Sequence, residues 1–240
     1  MTDLIYLHDS YQQRMNATVL ASPEQGVVLD RTIFYAGGGG QPADTGWLTD
    51  GAGNRYEVTG MKRIDGALVH LLAGEMRPLE GSAVVGTLDW ARRYKLMRTH
   101  TAMHILCGVV WRDYGAQVTG GNMEPGHGRM DFEFERMQQS LVAEIEARIN
   151  AEVAASREVR VQQLPREEAF QIPDLIRTKI NLLPPQIREV RTVELVGLDL
   201  QADGGTHVAN TSEVGPLRVT DYKSKGAINK RIYLALAEEA

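Results

Sequence analysis

The hydrophobic pattern of this chain changes near residue 90, and that change limits the folds it can adopt. Before residue 90, short apolar runs are separated by turn sequences such as DG and GAGN. This pattern is typical of antiparallel strands joined by tight turns. Beyond residue 90, apolar residues recur at steps of three and four, a spacing typical of helices with one buried side. The sequence therefore predicts two domains of different structural class.

The two predicted domains are residues 1–90 and residues 91–240. The first is expected to form a small antiparallel β-barrel-like domain that carries a glycine-rich motif. The second is expected to combine helices with an antiparallel sheet on which they pack. The fold class predicted for the whole chain is therefore α+β.

Three helices are predicted after the change of pattern. The first spans Trp90–Tyr114, and its single buried stripe consists of Leu96, His100, Met103, Leu106 and Val110. The second runs from about Arg136 to Arg157, with Leu141, Ile145, Ile149 and Val153 at steps of four. Pro165 and Pro173 bracket a short third helix. The rest of the tail alternates apolar and polar residues, as strands do.

The composition excludes several classes of protein. A single cysteine can form neither an intramolecular disulfide nor a cysteine-rich zinc site, so the chain is expected in a reducing compartment, the cytoplasm. The N-terminus has no basic stretch leading into an apolar run. An apolar stretch of about 18 residues, the length that spans a bilayer, is absent as well. Neither secretion nor membrane insertion is expected.

The net charge of -5 argues against a surface that is basic throughout. Basic residues nevertheless gather in two segments, while many acids lie on the second predicted helix. The first segment contains Arg92, Arg93, Lys95, Arg98 and Arg112, and the second contains Arg218, Lys223, Lys225, Lys230 and Arg231. Each segment is either ordinary solvated surface or, if both flank one site, a face for a polyanionic substrate.

Two histidines of the first predicted helix are four residues apart. His100 and His104 therefore leave the same face of the helix, one turn from each other, and can chelate one metal ion. The alternative is a pair of stacked core or surface histidines. A zincin metalloprotease is disfavoured, because it requires glutamate at the position of Thr101.

A second pair of candidate metal ligands lies about a hundred residues further on, in the sequence ADGGTHVANT. Asp203 and His207 flank Gly204, Gly205 and Thr206, and the glycines let the backbone turn so that both side chains approach one point. Zinc accepts nitrogen and carboxylate oxygen ligands. The alternative for Asp203 is an Asx turn before the glycines.

The run Gly37–Gly40 contains four consecutive glycines. It is not a Walker loop, since no Gly-Lys-Ser/Thr follows, and it is not a GxGxxG motif that opens a helix. No dinucleotide is therefore expected. The run is either a long hairpin loop or a sharply turning backbone whose N–H groups face a ligand.

These segments together resemble one known family. RTHTAMHIL and GGTHVANTSEVG are similar to the paired zinc motifs of the editing domain of alanyl-tRNA synthetases and of the free-standing AlaX group of alanyl-tRNA editing proteins. FYAGGGGQPADTG resembles the glycine-rich motif of the longer members. RMDFEF and KSKGAINKRIYLAL also fit the family pattern. The resemblance covers most of the chain.

The resemblance implies a trans-editing deacylase that removes serine, and in some cases glycine, from mischarged alanine tRNA. It implies one Zn²⁺ per chain, tRNA as the partner, and His100, His104, Asp203 and His207 as catalytic residues acting through the metal. The expected substrate-binding residues are Gly38, Gly39, Gly40, Gln41, Asp44, Thr101 and Thr206. Many members have cysteine at the position of Asp203, so this chain offers a harder oxygen ligand.

Two other functions are consistent with part of the sequence. A metal-dependent hydrolase of another ester would keep the four ligands but would not need two basic segments. A catalytically inactive tRNA-binding module would keep the basic segments but would not need the ligands. Editing explains both features together.

Overall fold

The computed structural model describes residues 2–134, 138–176 and 187–239. The chain divides into two compact units, Met1–Tyr94 and Lys95–Ala240. Helices and mostly antiparallel sheets give it the predicted fold class, α+β. The predicted start of the second helix at Arg136 lies outside the described residues.

The first unit is built almost entirely of strands. They are β1 (Asp3–Leu4), β2 (Arg14–Ala21), β3 (Gly26–Leu29), β4 (Arg31–Thr32), β5 (Gly46–Asp50), β6 (Arg55–Ile64), β7 (Ala67–Leu72) and β8 (Ala83–Leu88). Strands β1 and β4 form a short parallel pair. The other strands pair antiparallel in the closed order β2-β3-β7-β6-β5-β8, a barrel.

The alternation of residues along the strands fills the interior of this barrel. On β2, Met15, Ala17 and Val19 are buried, while the residues between them face outwards. Successive side chains of a strand point to opposite faces, so one face of each strand supplies the core. Phe34 and Leu48 are fully buried in the same cluster.

The barrel core also encloses one histidine, His70 on β7, which has no solvent exposure. Its Nε2 lies 2.7 Å from the hydroxyl of Thr32, and its Nδ1 lies 3.3 Å from the carbonyl oxygen of Val27. The same hydroxyl accepts a hydrogen bond from the backbone N–H of Phe34. Burial lowers the pKa of His70 to about 4, so the imidazole is neutral and satisfied at neutral pH.

The second unit combines helices with two antiparallel sheets. Its elements are α1 (Trp90–Tyr114, which begins in the first unit), β9 (Val118–Glu124), β10 (His127–Glu133), α2 (Gln139–Ala154), β11 (Val159–Pro165), α3 (Arg166–Ala169), β12 (Glu189–Leu195), β13 (Asp199–Ala202), β14 (Leu217–Ser224) and β15 (Asn229–Leu236). The sheet orders are β14-β15-β10-β9 and β11-β12-β13.

Helix α1 has the predicted bounds, but the prediction of a single buried stripe is wrong. Every residue from 99 to 110 is buried, so this part of the helix has no solvent-exposed side. On one side Met103 packs against Gly121 and Gly128 of the sheet, at positions where a Cβ would approach it to 3.1 and 3.0 Å. On another side Gly108 lies against Leu198 and Asp199. Helix α1 is therefore the centre of the second unit.

Helix α2 packs on β14 and buries Val142, Ile145, Ile149 and Val153, while Leu141 is only half-buried. Polar contacts fix the packing: Asn150 exchanges two hydrogen bonds with the backbone of Leu217. Within the described ranges, no helix is long and apolar enough to cross a membrane.

The buried His70 predicts an acid-sensitive barrel. The unfolded chain takes up a proton near pH 6.5, whereas the folded protein resists protonation down to about pH 4. The contribution of His70 to the free energy of unfolding is therefore complete above pH 6.5 and falls as the pH drops towards 4, by roughly 3 kcal/mol in total. Urea unfolding measured across this range should show a steeper loss for the wild type than for His70→Gln.

Other buried histidines contribute equally to both proteins, so the difference in pH dependence isolates His70. The exposed His8 provides the matched control, and His8→Gln should keep the wild-type free energy of unfolding at neutral pH. Identical pH profiles for the wild type and His70→Gln would contradict the prediction.

Candidate metal centre

The structure brings His100, His104, Asp203 and His207 together. One ligand atom from each residue lies within 4.8 Å of the others, and three of the four side chains are buried. Helix α1 supplies the first two residues from adjacent turns, as the four-residue spacing predicts. The segment that follows β13 supplies the other two. This buried group could hold a metal ion.

The three imidazoles are crowded around one carboxylate. The ring centroids of His100 and His207 are 4.2 Å apart, and those of His104 and His207 are 4.7 Å apart. The Nε2 of His207 lies 3.0 Å from Oδ2 of Asp203, and the Nε2 of His100 lies 3.6 Å from Oδ1. This arrangement concentrates nitrogen and oxygen donors at one buried point.

The backbone around Asp203 is fixed by local hydrogen bonds. Its Oδ2 accepts a hydrogen bond of 2.7 Å from the N–H of Gly205, so Asp203 forms the Asx turn that the sequence offered as an alternative. The guanidinium of the buried Arg191, on β12, donates a hydrogen bond of 2.9 Å to the carbonyl oxygen of Asp203. The carbonyl oxygen of Arg191 accepts a hydrogen bond of 3.1 Å from the backbone N–H of Asp203. Asp203 is therefore both a turn residue and a member of the donor cluster.

Each imidazole is also held by a contact to one of its nitrogens from outside the cluster. The Nδ1 of His104 lies 3.1 Å from a carboxylate oxygen of Asp199, and the Nδ1 of His207 lies 3.1 Å from the hydroxyl of Thr101. His100 is hydrogen-bonded to the backbone of Thr206. The contact of His104 with Asp199 has the distance of an ion pair without hydrogen-bond geometry, whereas His207 and His100 make hydrogen bonds. Outer contacts of this kind set the orientation of histidine ligands in metal sites. The donor set and its supports therefore fit a metal ion.

The electrostatics of the cluster favour the protonation state that metal binding requires in three of the four donors. Burial lowers the pKa of His100 to about 4 and, together with the charge of His100, holds the pKa of His207 well below its usual value. Burial opposes ionisation of Asp203, but the neighbouring imidazoles outweigh it and keep the pKa of this carboxyl low. Burial also opposes protonation of His104, yet Asp199 raises its pKa. At neutral pH the cluster offers neutral His100 and His207 and an ionised Asp203, whereas His104 has to release the proton that Asp199 favours when a metal ion binds.

Sequence reasoning missed two contributors, Asp199 and Arg191. Asp199 begins β13 and is buried, and Gln201 donates a 2.6 Å hydrogen bond to the carboxylate oxygen nearest His104. The sequence LDLQAD could have indicated that Asp199 lies near the donor cluster, because Asp199 precedes Asp203 by four residues and alternate residues of a strand share one face. Arg191 lies in a strand with an ordinary alternating pattern, so nothing in the sequence around it indicates a contact with Asp203.

The two threonines predicted as substrate-binding residues are fully buried beside the donors. Thr101 contacts His207 and accepts a 3.3 Å hydrogen bond from the N–H of Val208. Thr206 contributes its backbone to His100. Both residues therefore support the donor cluster, and their contact with a substrate stays a prediction.

The glycine run of the first unit forms a tight turn. Gly38 and Gln41 exchange two backbone hydrogen bonds of 3.0 and 2.9 Å, and Gly39 and Gly40 between them adopt φ values of +57° and +90° that favour glycine. The hydroxyl of Tyr35 donates to the carbonyl oxygen of Gly38. The N–H groups of Gly38 and Gln41 are therefore engaged within the turn, and the ligand contact expected of Gly38, Gly39, Gly40 and Gln41 stays a prediction.

Asp44, expected as a polar group of the glycine-rich loop, lies in the interior of the first unit. Its side chain is buried and forms an ion pair with the equally buried Arg93. It also accepts a 2.6 Å hydrogen bond from the N–H of Tyr35, while Arg93 donates to the carbonyl oxygen of Ile33. Asp44 therefore fixes both sides of the glycine turn from the interior of the first unit, and it is not an exposed polar group of the loop.

The two basic segments are less available than the sequence indicates. Arg93 and Lys230 are buried, and most of the other members are engaged with carboxylates or carbonyl oxygens. Arg112 pairs with Glu152 of α2, and Arg218 pairs with Glu146 of the same helix. The acids of α2 thus neutralise part of both segments, because the fold places them beside arginines that are distant in sequence.

Comparison with known proteins places this arrangement among synthetase-related domains. Residues 3–92 match the family described as tRNA synthetases class II (A), and residues 190–233 match the threonyl and alanyl tRNA synthetase second additional domain. The chain is 39% identical over 234 residues to alanyl-tRNA editing protein AlaX-M of Saccharolobus solfataricus, which covers 97% of this chain and 98% of that relative. It is 36% identical to AlaX-M of Methanosarcina barkeri over 99% of this chain and 100% of the relative.

A longer relative shows the same similarity in part of its length. The alanine–tRNA ligase of Pyrobaculum aerophilum is 38% identical over 223 residues, which are 90% of this chain and 25% of the ligase. The fold and the buried donor cluster thus define a protein related to the additional domains of class II aminoacyl-tRNA synthetases. The chain belongs to the AlaX-M family of alanyl-tRNA editing proteins, which confirms the resemblance found in its sequence motifs.

The contact between Asp199 and His104 predicts that Asp199 contributes to metal affinity. Asp199→Asn keeps the shape of the side chain but removes the charge that orients the imidazole and strengthens it as a ligand. Affinity for Zn²⁺ or Co²⁺ should fall by roughly 10- to 100-fold. Competition with a fluorescent chelator at neutral pH measures this change without any substrate.

Asp113→Asn is the matched control, because Asp113 pairs with Arg112 and Arg148 instead of with a member of the donor cluster. It should bind metal like the wild type. Equal affinities for Asp199→Asn and the wild type would show that the contact has no effect on the metal.

Proposed function

We propose that this protein is a trans-editing hydrolase, which cleaves the ester between a wrong amino acid and the tRNA for alanine and uses one zinc ion. The observation that carries the proposal is the buried cluster of three imidazoles and one carboxylate in a chain of the AlaX-M family. The relatives are named as alanyl-tRNA editing proteins, and they match this chain over nearly its whole length.

The chemistry of alanine gives a reason for such an enzyme. A pocket that accepts alanine cannot strongly reject the smaller glycine, nor serine, which only adds a hydroxyl. A second hydrolytic site that removes the wrong amino acid restores accuracy. We propose serine attached to alanine tRNA as the main substrate and glycine as the second.

Zinc suits the donor set of His100, His104, Asp203 and His207. Zinc binds imidazole nitrogen and carboxylate oxygen, and the cluster supplies three imidazoles besides the carboxylate of Asp203. When bound in such a site, zinc acts as a Lewis acid that polarises an ester carbonyl or lowers the pKa of water.

Other features of the cluster indicate where the substrate would approach and which residues would position the imidazoles. Asp203 is the most exposed of the four donors, with 14% of its side chain accessible, whereas the side chain of His207 is 1% accessible. The aminoacyl ester would therefore approach from the side of Asp203. Asp199, Thr101 and Thr206 would hold the imidazoles in place while the substrate is bound.

We assign the chemistry to the domain of residues 91–240 and amino-acid discrimination to the glycine turn of the domain of residues 1–90. In this assignment Asp44 and Arg93 act by positioning the turn, because both side chains are buried and paired with each other. The proposed location is the cytoplasm, where charged tRNA is used and where a chain with one cysteine needs no disulfide.

The direct test is deacylation of alanine tRNA charged with serine, with correctly charged alanyl-tRNA as the comparison substrate. The wild type should hydrolyse the serine ester and spare the alanine ester. His104→Ala should lower the rate by more than about 100-fold, since the metal contributes several kcal/mol and each 1.4 kcal/mol is about tenfold in rate. His8→Ala, which removes an exposed histidine of the first unit, should retain the wild-type rate.

Metal analysis separates editing from the inactive tRNA-binding alternative. Protein purified without chelators or affinity metals should contain about one zinc per chain, and His104→Ala should contain much less. A serine ester that is stable in the presence of zinc-loaded protein would refute the editing function. Zinc that is substoichiometric and unaffected by His104→Ala would refute the metal site.

A further inference from the structure

Among the described residues, the four-stranded sheet of the second unit contacts α1 through one of its two faces. On β10, Met130 and Phe132 are buried, and Gly128 lies against Met103 of α1. The alternate residues of β10, among them His127 and Arg129, belong to the opposite face, which is exposed or half-buried. This second face is the outer face of the sheet.

The outer face contains an open pocket of about 160 Å³. Its polar lining comes from Asn122, Glu124, His127, Arg129 and Tyr233. The strand register aligns three of these residues, because Arg129 of β10 is paired with Asn122 of β9 and with Tyr233 of β15. A guanidinium therefore lies between an amide and an aromatic ring in one row across three strands.

The guanidinium of Arg129 is available to a ligand. The nearby Asp131 accepts two hydrogen bonds of 2.6 and 2.7 Å from Arg231, whereas Arg129 reaches the same carboxylate only at 3.9 Å. Within the described residues this long contact is the one ion pair that Arg129 makes, and about a third of its side chain is exposed. Because Arg231 already satisfies the acid, the charge of Arg129 can serve another anion.

The ring of Tyr233 lies in a positive environment. The Nζ of Lys223 is 5.1 Å from the ring centroid, and the Cζ of Arg231 is 5.9 Å from it. Cations at such distances are attracted to the ring face and help to fix its orientation. The pocket thus has an oriented aromatic ring on one side and a guanidinium beside it.

We propose that the pocket on the outer face binds one unpaired nucleotide of the tRNA, with its base against Tyr233 and its phosphate on Arg129. The proposal rests on the proposed function, in which tRNA carries the substrate. Unstacked bases bind aromatic side chains, and arginine binds phosphate through paired N–H donors. Asn122 and Glu124 can accept hydrogen bonds from the edge of the base, a role that a site for phosphate alone would not need.

This nucleotide site is distinct from the donor cluster. Helix α1 carries His100 and His104 and packs on the inner face of the sheet through Met103, so the outer face lies on the other side of the sheet. The pocket would therefore hold the tRNA and would not take part in hydrolysis. Its loss should appear in the affinity for tRNA and in the KM for charged tRNA.

The test measures binding of uncharged alanine tRNA to the full-length protein at several salt concentrations. Arg129→Gln should weaken binding about tenfold and reduce the salt dependence by about one phosphate contact. Tyr233→Leu should weaken binding by roughly 5- to 100-fold, whereas Tyr233→Phe keeps the ring and should bind like the wild type. Arg160→Gln is the control, because Arg160 is an exposed arginine of β11, in the three-stranded sheet, and is already paired with Glu158.

Unchanged tRNA affinity in both Arg129→Gln and Tyr233→Leu would overturn the proposal, as would equal losses in Arg160→Gln. A loss in Tyr233→Phe equal to that in Tyr233→Leu would overturn the stacking role. Circular dichroism identifies any variant that fails to fold, and Arg129→Gln, which changes a half-buried surface group, then decides the question alone. Because the assay uses uncharged tRNA, its outcome is independent of whether the protein hydrolyses the serine ester.

Discussion

The second unit depends on a helix segment that is buried on every side and still contains two imidazoles. Buried polar groups are costly unless each one has a partner. Thr101 and the backbone of Thr206 form hydrogen bonds with His207 and His100, and Asp199 lies at ion-pair distance from His104. The shared carboxylate of Asp203 lies beside His100 and His207. The sheet and the segment after β13 are therefore arranged around these polar groups as much as around the apolar core.

Much of this arrangement could be predicted from short-range patterns. The bounds of α1 follow from its apolar period, and the membership of His100, His104, Asp203 and His207 in one cluster follows from the spacing of each pair and from the family resemblance. The prediction of a single buried stripe was wrong, because it assumed that the other side of the helix faces water. Here α1 is enclosed, and residues that break the stripe, such as Gly108, are buried as well.

Other features could not be predicted because they depend on contacts between distant residues. Asp44 seemed to be a loop residue next to four glycines, but Arg93, 49 positions away, draws it into the interior. The basic segments seemed to form free positive surfaces, yet Glu146 and Glu152 of α2 pair with some of their arginines. The sequence identifies charges, whereas the fold decides which of them remain available to a ligand.

Gly108 shows that a substitution which favours helix formation can disturb the packing around the donor cluster. Alanine has a helix propensity about 1 kcal/mol better than glycine, so a stabilisation scheme based on local preference would replace Gly108. The new methyl group would lie 2.8 Å from Leu198 and 3.0 Å from the Cβ of Asp199. Relief of that clash would move the carboxylate that orients His104. Engineering of this helix therefore has to retain a residue that intrinsic helix stability disfavours.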